Sequence, residues 1–125
     1  MISAGVCASD AHYVWGSAKF SDYQQTGPLV LGHEGAGVVE AIGDTVGDLT
    51  VGDHVLTTFM PMCNDCAYCS NPLTNLCAKQ SLFELGIRPN KTLASNGSPL
   101  LGLAGLGVYS EYVLLDQSQV VKVNN

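Results

Sequence analysis

Four of the five cysteines in this 125-residue chain stand together. Cys63-Asn-Asp-Cys66-Ala-Tyr-Cys69, followed after seven residues by Cys77, is a C-x2-C-x2-C-x7-C spacing. Two residues between cysteines let a tight turn aim both sulfurs at one tetrahedral ion, so the spacing predicts a structural zinc lobe. A site of four thiolates is closed. It leaves no position for water or substrate, so it shapes a loop and leaves chemistry to other residues. Two plainer readings exist: a pair of disulfides or a thioredoxin-like C-x-x-C, and a nucleic-acid zinc ribbon. Three cysteines at x2 spacing without a secretory start speak against the first, and the absence of basic clusters speaks against the second.

The remaining cysteine lies in Gly5-Val-Cys7-Ala-Ser9-Asp10-Ala-His12, and Gly32-His33-Glu34-Gly35 follows further along. A catalytic zinc takes about three protein ligands and keeps one position open. Cys7 and His33 supply two. Asp10 is of the right kind to accept a hydrogen bond from the far nitrogen of a ligating histidine, which fixes its tautomer. Ser9 and His12 lie three apart, on one face of a helical turn. A hydroxyl beside a metal and an imidazole on the same face form a proton path from a substrate alcohol to water. The bland alternatives are a buried thiol at Cys7, a satisfied core histidine at His33 and turn caps at Ser9 and Asp10. His54, in Val51-Gly-Asp-His54-Val55, reads as a strand histidine.

Taken in order, these motifs resemble the medium-chain zinc-dependent alcohol dehydrogenases. The resemblance runs through Gly-x-Cys-x-Ser-Asp-x-His from Gly5, Gly-His-Glu-Gly-x-Gly-x-Val from Gly32, Val-Gly-Asp-x-Val from Val51, the four-cysteine lobe, and Ser110-Glu-Tyr-Val113. It implies a catalytic domain that is mainly β, a GroES-like irregular β-barrel with short helices and a zinc-binding loop lobe at about 60–80. It also implies Cys7 and His33 as catalytic zinc ligands, Glu34 as a near or alternative ligand, and Cys63, Cys66, Cys69 and Cys77 on structural zinc. Ser9 would pass the alcohol proton toward His12, with Asp10 behind the ligating imidazole. The reaction would be hydride transfer between an alcohol carbon and NAD or NADP. A glutathione-dependent formaldehyde dehydrogenase or a polyol dehydrogenase of the same superfamily is the alternative. From another class comes a non-catalytic, zinc-stabilised interaction module.

Family chains carry strands before the Cys7 motif, and beyond the matched region they carry a third catalytic ligand and a nucleotide-binding domain. Residues 1–125 are therefore expected to form a partial catalytic domain, incomplete at both ends, that does not turn over alcohol unaided. The Gly-x-Gly-x-x-Gly turn is not found: Gly35-Ala-Gly37 is followed by Glu40 and Gly105-Leu-Gly107 by Ser110. The intact parent is expected to act on a small alcohol or carbonyl compound and to form a homo-oligomer.

Composition sets the frame for these sites. The chain is 46% apolar and 13% charged, against roughly 25% charged in an average soluble domain. Some of its surface is expected to face protein. The net charge of -6 speaks against a nucleic-acid backbone or an anionic membrane as partner. No apolar run reaches a membrane span and no secretory signal opens the chain, so a reducing, cytoplasmic setting is the expectation.

The elements that must position the sites are short. A loop ending in a helical turn through His12 and Tyr13 is expected first, with Ser9 as its N-cap. Strands are expected at Val38–Ile42, Val51–Phe59, Tyr109–Leu115 and Val120–Val123, with Asn71-Pro72 opening a short helix over Leu73–Leu76. Residues 80–108 read as irregular, with turns at Pro89 and Asn96-Gly97. Tyr13, Trp15 and Phe20 line a cleft or pack in the core. The apolar, glycine-rich run 98–108 is either an ordinary buried loop or a contact to another domain or subunit.

Overall fold

The structure is a computed structural model that describes residues 1–15, 28–79, 90–93 and 95–123, so Phe20 and Pro89 lie outside the described residues. Among the described residues the strands are β1 (Ser3–Ala4), β2 (Leu29–Val30), β3 (Gly35–Val38), β4 (His54–Thr57), β5 (Asn90–Leu93), β6 (Pro99–Gly102) and β7 (Val120–Lys122), with one α-helix, α1 (Ala8–Trp15). β1, β3, β4 and β7 pair antiparallel in that order, with Ser3 opposite Ala36, Gly37 opposite Val55 and Leu56 opposite Val121. The second sheet runs β2-β6-β5, where Leu29 pairs with Leu101 in parallel and β5 meets β6 antiparallel with a register irregularity. Among the described residues the two sheets remain separate hydrogen-bonded units. The mainly β, irregular architecture expected from the sequence is present, without a single closed ladder.

Along β4, Val55 is buried while His54 and Leu56 are exposed, the period of two that a half-buried strand imposes. Val108 reaches this sheet at Gly35 of β3, where an added Cβ would lie 2.9 Å from its Cγ1. Leu106 and Val108 are 0% and 1% exposed, and Val55, Leu103 and Cys77 are buried with them. Each such aliphatic side chain contributes roughly 1.5–3 kcal/mol by leaving water. The run 98–108 is thus the ordinary buried segment of its two readings. It also holds β6, in a stretch expected to be irregular.

Three expected elements differ in kind or place. The strand expected over Val38–Ile42 is β3, which runs over Gly35–Val38 and ends where the expected one begins. Val39 still donates to Asp53 and accepts from Gly52, both at 2.9 Å, and the ladder stops there. The expected helix at Leu73–Leu76 is a turn. Asn71 Oδ1 accepts from Leu73 N–H and Thr74 Oγ1 from Leu76 N–H, local bonds that compete with helical ones. Residues 109–115 form no strand, because Ser110 Oγ lies 3.0 Å from the carbonyl oxygens of both Gly107 and Tyr112, shares its one proton between them and bends the chain. Asp116 and Gln119 then close a capping box that feeds β7.

At the N-terminal side, α1 begins at Ala8, so Ser9 sits inside the first turn instead of capping it. Asp10 closes the helix start, its Oδ2 accepting from Cys7 N–H at 3.3 Å. Eight residues make a helix too short to persist alone. It is tied to the body by Gly32 N–H, which donates to Asp10 Oδ1 at 2.7 Å. Trp15, at the end of α1, is 81% exposed, so core packing is not its role here. No helix among the described residues is long and apolar enough to cross a membrane.

Candidate functional site

The structure brings two groups of metal-ligating side chains together, Cys63, Cys66, Cys69 and Cys77 in one and Cys7, His33 and Glu34 in the other. Within each group the ligand atoms lie within 4.8 Å of one another. The two groups differ in chemistry and in how they are built.

The four-cysteine group is made by turns alone. Ser70 N–H and Asn71 N–H donate to the carbonyls of Cys66 and Tyr68, folding the x2 spacings into consecutive tight turns. Cys63 Sγ and Cys69 Sγ stand 3.8 Å apart. That is the edge of a tetrahedron whose centre lies about 2.3 Å from each sulfur, the zinc–thiolate distance. All five cysteines are free thiols, which removes the disulfide reading. Backbone N–H groups point at the sulfurs: Cys69 and Ala78 donate to Cys66 Sγ at 3.4 and 3.5 Å, and Lys79 donates to Cys77 Sγ at 3.3 Å. Those donors, Cys69 N–H first, pull the Cys66 thiol down to about 6. Desolvation, followed by thiol bonding to Cys66, pushes Cys69 up to about 11. Against desolvation, which raises it, backbone N–H donors also lower the Cys77 thiol, so Cys66 and Cys77 give up protons more readily than Cys69, as expected for thiols crowded around a point that a cation would neutralise. The group fits zinc, and with four sulfurs it leaves no open position.

The second group is assembled from two segments far apart in the chain. Cys7 precedes α1, whereas His33 and Glu34 sit just before β3. Gly5 N–H donates to Glu34 carbonyl at 2.7 Å, and a Cβ on Gly5 would collide with the Glu34 carboxylate. A side chain at that position would push the carboxylate away from where it now stands. Gly32, at φ +89°, turns the chain so that its N–H meets Asp10, in a region a side chain rarely adopts. Any Cβ there would also lie 2.5 Å from the ring of Tyr109.

His33 is buried, with its Nε2 3.9 Å from Glu34 Oε1 and its Nδ1 3.6 Å from Asp10 Oδ2. Nδ1 is also a buried nitrogen without a hydrogen-bond partner. An orphaned ring nitrogen facing a buried carboxylate fits an imidazole that shifts slightly when its other nitrogen takes a ligand. Phe59 meets the His33 ring edge-on, with centroids 5.8 Å apart. Cys7, His33 and Glu34 offer one sulfur, one nitrogen and one oxygen, a donor set that suits zinc with a position to spare.

Around this group, Ser9 Oγ lies 3.5 Å from Cys7 Sγ, and His12, three residues on along α1, is exposed. His54 opens β4 on its exposed face, as a strand histidine. Two contacts have no signal in the sequence. One is Phe59 against His33. The other is Tyr109, whose hydroxyl lies 3.2 Å from Asp10 Oδ2 and 3.0 Å from the Gly5 carbonyl. Desolvation and then the Asp10 charge push the Tyr109 hydroxyl above its ordinary range, so it stays protonated and acts as a donor.

Comparison with known proteins agrees with this arrangement. Geraniol dehydrogenase of Carpoglyphus lactis is 46% identical over 99% of this chain and 33% of its own length. Alcohol dehydrogenase class-3 of Drosophila melanogaster is 37% identical over 98% of the chain and 32% of its own length. Among solved structures, an alcohol dehydrogenase zinc-binding domain protein from Burkholderia ambifaria superposes with a TM-score of 0.75 at 30% identity, covering 97% of this chain and 32% of that one. The chain thus spans about a third of the length of the relatives it matches. The alcohol dehydrogenase GroES-like domain family matches residues 1–125, and the chain belongs to that family.

Proposed function

We propose that this chain is the catalytic-domain portion of a zinc-dependent alcohol dehydrogenase, which oxidises an alcohol or reduces the matching aldehyde or ketone with NAD or NADP. The observation that carries the reading is the convergence of Cys7, His33 and Glu34 from separate segments, beside a second group of four thiols that has no room for substrate. Zinc, when bound at the first group, supplies a Lewis acid that polarises the substrate oxygen.

The chain's own residues do the rest. Cys7 and His33 would hold the ion, with Glu34 beside them as a near or alternative ligand. Asp10, fixed by Gly32 and Cys7 N–H, orients the His33 ring and keeps the proton on Nδ1, which leaves Nε2 as the ligand. Ser9, next to Cys7, accepts the proton of the alcohol and hands it along the helix face to His12 and so to water. The four-cysteine lobe holds its loop in shape. Free thiols at all five cysteines suit a reducing, cytosolic compartment.

The test is alcohol-dependent reduction of NAD+ and NADP+ by the natural gene product, wild type against His33→Ala and Cys66→Ser. Loss of turnover with retained folding in His33→Ala is the expected result. Equal rates in wild type and His33→Ala, or no alcohol-dependent reduction at all, contradict it.

A further inference from the structure

Asp10 is 4% exposed and has more donors around it than one carboxylate oxygen serves well. Its Oδ1 is committed to Gly32 N–H at 2.7 Å. Its Oδ2 faces Cys7 N–H at 3.3 Å, the Tyr109 hydroxyl at 3.2 Å and His33 Nδ1 at 3.6 Å. A carboxylate oxygen has about two lone-pair directions, so three donors compete for them. His33 Nδ1 is the one left without a bond.

Tyr109 differs from the other two donors because it has somewhere else to go. Its hydroxyl carries one proton and touches two acceptors, Asp10 Oδ2 and the Gly5 carbonyl at 3.0 Å. Its place is fixed from both sides. Tyr109 N–H donates to Leu31 carbonyl and Val108 N–H to Gly32 carbonyl, each at 3.0 Å, while its ring lies against Gly32, the residue before His33.

We infer that Tyr109 is a positioning residue whose hydroxyl proton, shared between Asp10 and Gly5, sets how strongly Asp10 holds Nδ1 of His33. With the proton on Asp10, the carboxylate is a weaker acceptor and the imidazole is held loosely. With the proton turned to Gly5, Oδ2 is released to His33 without leaving the hydroxyl unbonded. The inference rests on the reading of Asp10 as the group that orients His33.

The test is the His33 tautomer ratio, read from nitrogen-15 spectra of the imidazole at a fixed pH above the imidazole range. It is recorded on the full chain without metal at the Cys7 group, with metal content checked on the same sample. Tyr109→Phe keeps the ring against Gly32 and both main-chain bonds, and removes the hydroxyl with its contacts to Asp10 and the Gly5 carbonyl. The expected result is an about fivefold rise in the ratio of Nδ1-protonated to Nε2-protonated His33, the size of one hydrogen bond's net effect. In an Asp10→Asn background the same substitution leaves the ratio unchanged, because the effect passes through the carboxylate. An unchanged or lowered ratio in Tyr109→Phe overturns the inference, and so does an equal rise when Asp10 is already Asn. A tyrosine that only packs would move neither. The ratio is read before zinc occupies Cys7 and His33, so its failure is separate from failure of the zinc reading, which the metal content decides.

Discussion

The two groups of candidate metal ligands among the described residues reach similar compactness by opposite routes. Cys63, Cys66, Cys69 and Cys77 come from fifteen consecutive residues joined by tight turns, and the ligand field is written almost entirely in local spacing. Cys7, His33 and Glu34 come from the start of a helix and the approach to a strand. They meet only because Asp10 ties the helix to Gly32 and Gly5 pairs with Glu34. The first group is its own scaffold. The second depends on the sheet, on two glycines and on a buried carboxylate, and it is the one that leaves a ligand position open.

This difference sets an order of expected effects. Cys66→Ser should be the most damaging change, because the lobe loses the ion that fixes its turns. We expect the zinc of the lobe to be lost and the thermal midpoint to fall by roughly 10 °C or more, measured by calorimetry with metal analysis. His33→Ala should leave the midpoint nearly unchanged while lowering alcohol turnover of the natural gene product by about a thousandfold, the worth of a metal's charge stabilisation. A similar loss of stability in both variants would show that the two groups are not independent.

Gly32→Ala attacks the scaffold of the second group alone. A Cβ at φ +89° and 2.5 Å from the Tyr109 ring should cost about 3 kcal/mol in denaturant unfolding. Asp10→Asn removes charge behind His33 and keeps shape. It should weaken metal binding at the Cys7 group by about 10–100-fold while the lobe titrates as before.

The smallest effect concerns Asp53, which joins β4 to β7 through Lys122 at 2.8 Å. The Lys122 bond first, and Thr50 N–H second, hold its carboxyl below the ordinary range. A depressed folded-state value means its contribution is fully present above the unfolded value of about 3.9 and is lost as pH falls through the lower folded one. Unfolding midpoints taken between neutral pH and about pH 2 should fall less steeply below about pH 4 in Asp53→Asn than in wild type. Parallel curves would remove Asp53 from the acid response.

What the sequence made legible follows the same division. The thiol spacing, the Gly-His-Glu-Gly step and the Ser9-Asp10-His12 turn are contiguous, so residue type and spacing carry them. The helix expected at Leu73–Leu76 failed because Asn71 and Thr74 side chains claim the backbone N–H groups first. The strand expected over Tyr109–Leu115 failed because one hydroxyl, Ser110, bends it. β-propensity sees neither event. Tyr109 was invisible for a different reason. It meets Asp10 across 99 positions, and nothing in its own neighbourhood marks the hydroxyl as part of the site.

Zinc per chain, by elemental analysis on purified wild type, Cys66→Ser and His33→Ala, tests the two-site account most directly. The account predicts two zinc ions in the wild type and one in each variant. One zinc in the wild type, retained in His33→Ala and lost in Cys66→Ser, would contradict it, leaving a structural lobe beside a cluster that does not hold metal.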